Sequence, residues 1–363
     1  MGRTAPGQRI NTIQIVIDQD KGRRFTALSR GAPTDEPTIG VESVVVKPDQ
    51  RPGPLPADDG TRASLASIRT KVRTLVSIAA SNDSSIPSAE VLLLLPRGAF
   101  TSPAGLEEFV SHDRTLRTEI VVSDGELAFK GSEALARDRS EQTNRTAYRV
   151  RLARSFAHRL VRACPWIRLV AISGSTAYGR TKHRDDIDFF VVTRKNRLWV
   201  TLLFALILAK IQRTRNPSAP VFCFNRLLDE AQCDDTFRTH QEPLLAREAL
   251  TMRVLEGRTY FLGLIQSASW MGGLFPGLYQ ESLAQGEGEL AVTNRDHRFW
   301  SFANWIAFGA VAPYAALANL SRNHRLLKSG EADARFRTVI GRGFFAYESR
   351  KFDLLKDAYR RAF

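Results

Sequence analysis

The chain has 363 residues and a mass of 40.6 kDa, a length that predicts two or three domains and excludes one small module. Apolar residues at 43% and charged residues at 25% match a globular chain and exclude the composition of a disordered one. A net charge of +14 and a pI near 10.1 point to polyanionic partners such as nucleic acid, nucleotide or anionic lipid.

That charge is uneven. Residues 1 to 60 hold 8 Lys and Arg against 8 Asp and Glu, so the whole excess lies beyond them. The three cysteines, Cys164, Cys223 and Cys233, form no CxxC pair and have no histidine at ligand spacing. This argues against a disulfide framework and a zinc site and favours a reducing cytoplasm. The basic N-terminus is not followed by an apolar segment, so no secretory signal is expected.

Residues 1–60 contain two strand-like runs, 13–17 and 41–46, and end in a Pro-, Gly- and Asp-dense linker. Residues 61–140 change character: Leu65, Ile68, Val72, Leu75 and Ala79 recur at helical spacing. AEVLLLL and SPAGLEEFVSHD then predict two more short helices, and LRTEIVVSDGELAFKG a hairpin about Asp124-Gly125. Three helices and a hairpin are the layout of a winged helix. Lacking a dense basic recognition helix, this module is expected to pack on a neighbour rather than read DNA.

Residues 141–235 open with a helix whose arginines, Arg149 among them, read as a solvated face, with nucleic-acid contact as the alternative. Strand IRLVAI, turn SGS, strand IDFFVV, an all-apolar helix from Leu198 and strand VFCF follow. Residues 236–363 read as helical: Leu244–Glu256, a segment at Phe299–Leu320, and a final helix carrying Phe345, Phe352, Leu355 and Tyr359. Phe299–Leu320 is 22 residues without a charge, long enough to cross a bilayer. Asn304, Gly309, Pro313 and Asn319 interrupt it, which favours a buried or interfacial helix and keeps peripheral membrane contact among the expected partnerships.

The chemistry is concentrated in VAISGSTAYGRTKHRDDIDFFVVT. Asp186 and Asp188 lie two apart at the start of an apolar strand, so their side chains share one face. Two like charges at the rim of a core call for a cation, and hard carboxylate oxygens suit Mg²⁺. Gly174 and Ser175 stand where the preceding strand should turn into a helix, a place where phosphate meets backbone N–H groups. Arg180 and Lys182 fill the loop between, as candidate triphosphate contacts.

Hydrophobic strand, Gly-Ser, ten residues, Asp-Ile-Asp, hydrophobic strand: this order resembles the signature of the polymerase-β-like nucleotidyltransferase superfamily. The whole arrangement is similar to a bacterial group in which a winged helix precedes the nucleotidyltransferase domain and a helical region follows. The resemblance implies an α+β chain with a small mixed sheet at its core, binding a nucleoside triphosphate with Mg²⁺ or Mn²⁺. It implies transfer of a nucleoside monophosphate to a hydroxyl, with Asp186 and Asp188 as catalytic metal ligands and Gly174, Ser175, Arg180 and Lys182 at the nucleotide. Active members carry a third carboxylate on a later strand. Here VFCFN offers Asn225 at that position, which cannot take a proton; Asp229, Glu230 and Glu248 are the nearby substitutes. A catalytically silent nucleotide-binding regulator, acting through the winged helix or a protein partner, is the alternative.

Overall fold

Helical spacing of leucine and valine opens the described chain, which the computed structural model covers at residues 65–132, 139–183, 185–284, 298–328 and 336–363. The two N-terminal strand-like runs and the linker lie outside these residues. Helix α1 (Leu65–Ala80) buries Ile68, Val72, Leu75 and Val76, the face that the periodicity predicts. Strand β1 (Ile86–Pro87) and helices α2 (Ser88–Leu94), α3 (Pro103–His112) and α4 (Leu116–Glu119) follow. Strands β2 (Ile120–Ser123) and β3 (Glu126–Phe129) then close a hairpin, with Ser123 opposite Glu126. The three strands form one sheet in the order β1-β3-β2.

Helix α5 (Arg139–Ala163) leads to strand β4 (Ile167–Ser173), the one-turn helix α6 (Gly174–Ala177) and strand β5 (Ile187–Thr193). Next come α7 (Leu198–Arg215), β6 (Phe222–Asp229), α8 (Glu230–Thr239), α9 (Pro243–Leu250) and β7 (Arg253–Glu256). Helices α10 (Arg258–Ser267), α11 (Trp270–Leu274), α12 (Pro276–Ala284) and α13 (Arg298–Lys328), strands β8 (Phe336–Gly341) and β9 (Phe344–Ser349), and helix α14 (Arg350–Ala362) complete the chain. The second sheet runs β7-β4-β5-β6-β9-β8, with β5 and β6 parallel and every other pair antiparallel. The architecture is α+β.

The expectation of a helical stretch from residue 236 onward needs correction. β7, β8 and β9 extend the central sheet to six strands, and Phe345 lies on β9 rather than on the last helix. Val254 and Leu255 continue the apolar spacing of α9, yet they pack as an edge strand on β4. Residues 336–349 are rich in aromatic and β-branched side chains about Arg342-Gly343, a hairpin composition that the helical spacing of Phe345, Phe352 and Leu355 obscures.

Helices cover both faces of β5, which explains its unbroken apolar run. Phe189 packs on Phe156, Phe222 and Phe224, whereas its neighbour Phe190 packs on Phe237 of α8. Phe189, Phe190, Val191 and Val192 are 0–2% exposed, each contributing about 1.5–3 kcal/mol of apolar burial. A one-residue slip would exchange the two faces. The register is thereby fixed, and it sets Asp188 opposite Ser173.

Gly257, between β7 and α10, has φ +87°, and a Cβ there would lie 2.0 Å from the Arg168 carbonyl oxygen. Gly257→Ala should therefore cost at least about 3 kcal/mol, from left-handed strain together with overpacking. Gly263→Ala, in a helix with nothing within 4 Å of the new methyl, should instead stabilise by about 0.5 kcal/mol. Urea unfolding of both variants checks the contrast, and equal effects would contradict it.

Candidate active site at the β4 and β5 strand ends

Asp188 reaches across the sheet to the point where β4 becomes α6. Gly174 sits there with φ +65°, and a Cβ on it would come within 2.6 Å of the Asp188 carboxylate oxygen Oδ2. Backbone angle and close approach both exclude a side chain, so main chain and carboxylate stand face to face. Asp186 is near enough for its charge to act on Asp188, as the two-residue spacing predicts. Ser175, within α6, is half-buried, and its carbonyl accepts the Arg180 amide at 3.0 Å.

Asn225 arrives on the neighbouring strand by an irregularity. Phe189 pairs with Phe224, but Phe190 pairs with Arg226, so Asn225 is the extra residue of a bulge, a device that re-aims a side chain. Its amide hydrogen-bonds Asp188, while its Oδ1 accepts from Cys223 Sγ at 2.9 Å. Of the three substitute carboxylates, two are committed elsewhere. Asp229 ends β6 beside Thr193, at the far end of β5 from Asp188, and caps α8 by accepting the Gln232 amide at 3.0 Å. Glu230 accepts Arg168 Nε at 3.0 Å. Glu248, on α9, is different: its charge acts on Asp188, and its Oε1 accepts the Tyr178 hydroxyl at 2.5 Å. Burial, reinforced by Glu248, keeps the Tyr178 phenol protonated and hence a donor.

The basic residues are redistributed relative to expectation. Arg180 is turned to Glu90 of α2 in a mostly buried ion pair, and Lys182 Nζ binds Asp83 at 2.8 Å. The Lys182 amide donates to Asp185 at 2.9 Å, which makes Asp185 the residue that closes the loop. Arg149, on the helix whose arginines read as a solvated face, is only 4% exposed. Its Nη2 donates to the His183 carbonyl at 3.0 Å, and it stands in the field of Asp185, Asp186 and Asp188. Its Nη1 is buried without a hydrogen-bond partner among the described residues. A counter-charge to the aspartates thus comes from α5, where periodicity showed only an arginine among others. Arg226, next to Asn225, is a second cation near Glu248, with burial working against its charge.

Burial above all, then the Asp186 charge, pushes the Asp188 carboxyl up to about 8, against a lowering by the Asn225 hydrogen bond. A carboxylate so poorly compensated takes either a proton or a cation. Among the described residues no group of three or more His, Cys, Asp or Glu could hold a metal ion, so no all-protein cage exists there. Two carboxylates completed by phosphate oxygens and water are the usual Mg²⁺ arrangement, and Asp186 with Asp188 fits it. A scan against protein-family models and searches of curated proteins and of solved structures each return no match. The chemistry therefore rests on these residues.

Because its folded value near 8 lies above the ordinary 3.8, Asp188 costs stability progressively as pH rises from about 4 to about 8, where the unfolded chain has lost a proton that the fold retains. In cation-free buffer, Asp188→Asn should raise the melting temperature more at pH 8 than at pH 4. Added Mg²⁺ should stabilise the wild type and leave the variant unmoved. A pH-independent difference would show that the carboxylate is already compensated.

Proposed function

We propose that this chain binds a nucleoside triphosphate with Mg²⁺ or Mn²⁺ at the β4 and β5 strand ends and transfers its nucleoside monophosphate to a hydroxyl acceptor, releasing pyrophosphate. The observation that carries the reading is the Asp188 carboxylate set against the bare Gly174 backbone, with Asp186 beside it. Phosphate oxygens find N–H donors at such a strand-to-helix turn. Asp186 and Asp188 would hold the ion, which supplies neutralisation of the triphosphate charge when bound. Arg149 adds positive charge on the protein side, and its Nη1, without a hydrogen-bond partner among the described residues, is a ready donor. Glu248, steadied by Tyr178, is the carboxylate in place to receive the acceptor's proton.

The order of α1, β1, α2, α3, β2 and β3 supports a winged-helix reading of residues 65–132. Helix α3, in the recognition position, carries Glu107 and Glu108 and no Lys or Arg, a face that repels phosphate. This module serves docking: Glu90 of α2 accepts both Arg180 and Arg247.

Nucleotide binding without turnover is the second reading, favoured by Asn225 at the position where a third carboxylate is expected and hydrogen-bonded to Asp188. Incubation with each labelled triphosphate and Mg²⁺ separates the two. Transfer by the wild type, lowered about 10²-fold by Glu248→Gln with affinity unchanged, supports the enzyme. Bound nucleotide with no labelled product, and turnover gained by Asn225→Asp, supports the silent form. In either case Asp188→Asn should weaken Mg²⁺-dependent nucleotide affinity at least about tenfold. Absence of nucleotide binding by the wild type would overturn both.

A further inference from the structure

Helix α13 presents an apolar face that none of the described residues covers. Phe299, Phe302, Trp305, Leu317 and Leu320 are 62–69% exposed, and their spacing keeps them on one side of the helix over about 30 Å. Helix α7 packs beside it and adds Leu203, Ile207 and Ile211, exposed at every fourth position. Trp199 meets Phe308 while Phe204 meets Trp300, so the two helices run in opposite directions. The exposed cations Lys210, Arg213 and Arg215 at the end of α7 therefore lie toward the start of the α13 stripe, and Arg325 and Lys328 follow its end.

We propose that α7 and α13 seat this protein flat on an anionic lipid bilayer. The charge pattern selects that occupant. The two helices together hold seven Lys or Arg and no Asp or Glu, although the chain as a whole has 38 acidic residues. An apolar stripe bounded by cations at both ends repels a second copy of itself and attracts a surface of opposite sign. Trp305 and Tyr314, 65% and 59% exposed, are the amphipathic aromatics that settle at headgroup depth.

The inner face decides between lying on the bilayer and crossing it. Asn304 Oδ1 accepts the Trp199 and Val200 amides at 2.7 and 3.1 Å, capping the start of α7, and Asn319 and Ala315 are 0–1% exposed. Extraction of α13 as a span would break this packing, uncap the start of α7 and place the Asn304 and Asn319 side chains in hydrocarbon. Half in protein and half outward, the helix has the form of an interfacial element.

The test mixes the full-length chain with phosphatidylcholine vesicles and with vesicles containing a third phosphatidylglycerol, followed by sedimentation. The chain should pellet with the anionic vesicles, at least about tenfold more than with the neutral ones, and binding should fall when salt is raised to about 0.5 M. Alkaline carbonate should release it. Phe302→Asp with Leu317→Asp, both on the exposed face, should abolish pelleting while thermal unfolding is retained. If that pair fails to fold, a blue shift of wild-type tryptophan emission on anionic vesicles reports the same contact. A chain that stays in the supernatant, equal binding to both vesicles, or resistance to carbonate would each overturn the proposal. So would a solution dimer that Phe302→Asp dissociates without any vesicle binding.

Discussion

The carboxylate of Asp188 against the backbone of Gly174 is the constraint on which the site depends. It requires that β5 hold its register, and β5 does so because Phe189 and Phe190 fill different cores on opposite faces of the sheet. It requires a residue without a side chain where β4 turns into α6, and Gly174 supplies that with its left-handed backbone. It also leaves a buried charge poorly compensated, which is the physical reason for reading a cation site here. The bulge at Asn225 belongs to the same constraint, since it delivers a side-chain amide that hydrogen-bonds Asp188.

Around this point a second set of buried polar contacts joins distant parts of the chain. Glu90 of α2 accepts Arg180, from the loop before Asp186, and Arg247, from α9. Arg247 also bonds the Tyr359 hydroxyl of α14 and lies 4.7 Å over the Tyr178 ring, while Tyr178 holds Glu248. Cations this deep are tolerable because they are paired, and removing one partner of such a pair typically costs about 3–5 kcal/mol. The first helices and the last helix therefore bear on the placement of Glu248, at a distance in sequence from Gly174 and Asp188. This gives the N-terminal module a role that needs no nucleic acid.

What the sequence makes legible is local. The Asp124-Gly125 hairpin, the two-residue spacing of the aspartates and the glycine at a strand end are short-range signals, and all lie where the pattern predicts. What it hides is set by distant pairing. The sheet gains β7, β8 and β9 from a stretch whose apolar spacing imitates helices, because strand pairing across the chain leaves no periodic trace. Arg149 looks like any arginine on a polar helix until His183, 34 residues away, is folded against it. Arg180 faces a carboxylate 90 residues upstream, so a loop cation that resembles a phosphate ligand is also a structural one. Asp229, Glu230 and Glu248 look equivalent in sequence, and only the path of β6 and α9 separates them.

In the proposed function Asp186 and Asp188 share a divalent cation with a triphosphate lying against Gly174. A crystal grown with Mn²⁺ and a non-hydrolysable nucleoside triphosphate tests it most directly, since Mn²⁺ can be located by its anomalous scattering. The expected result is a Mn²⁺ peak bound by oxygens of both aspartates and of the nucleotide, with phosphate oxygens at the Gly174 turn. Nucleotide bound elsewhere, or Asp188 left protonated with no metal beside it at saturating Mn²⁺, would contradict it.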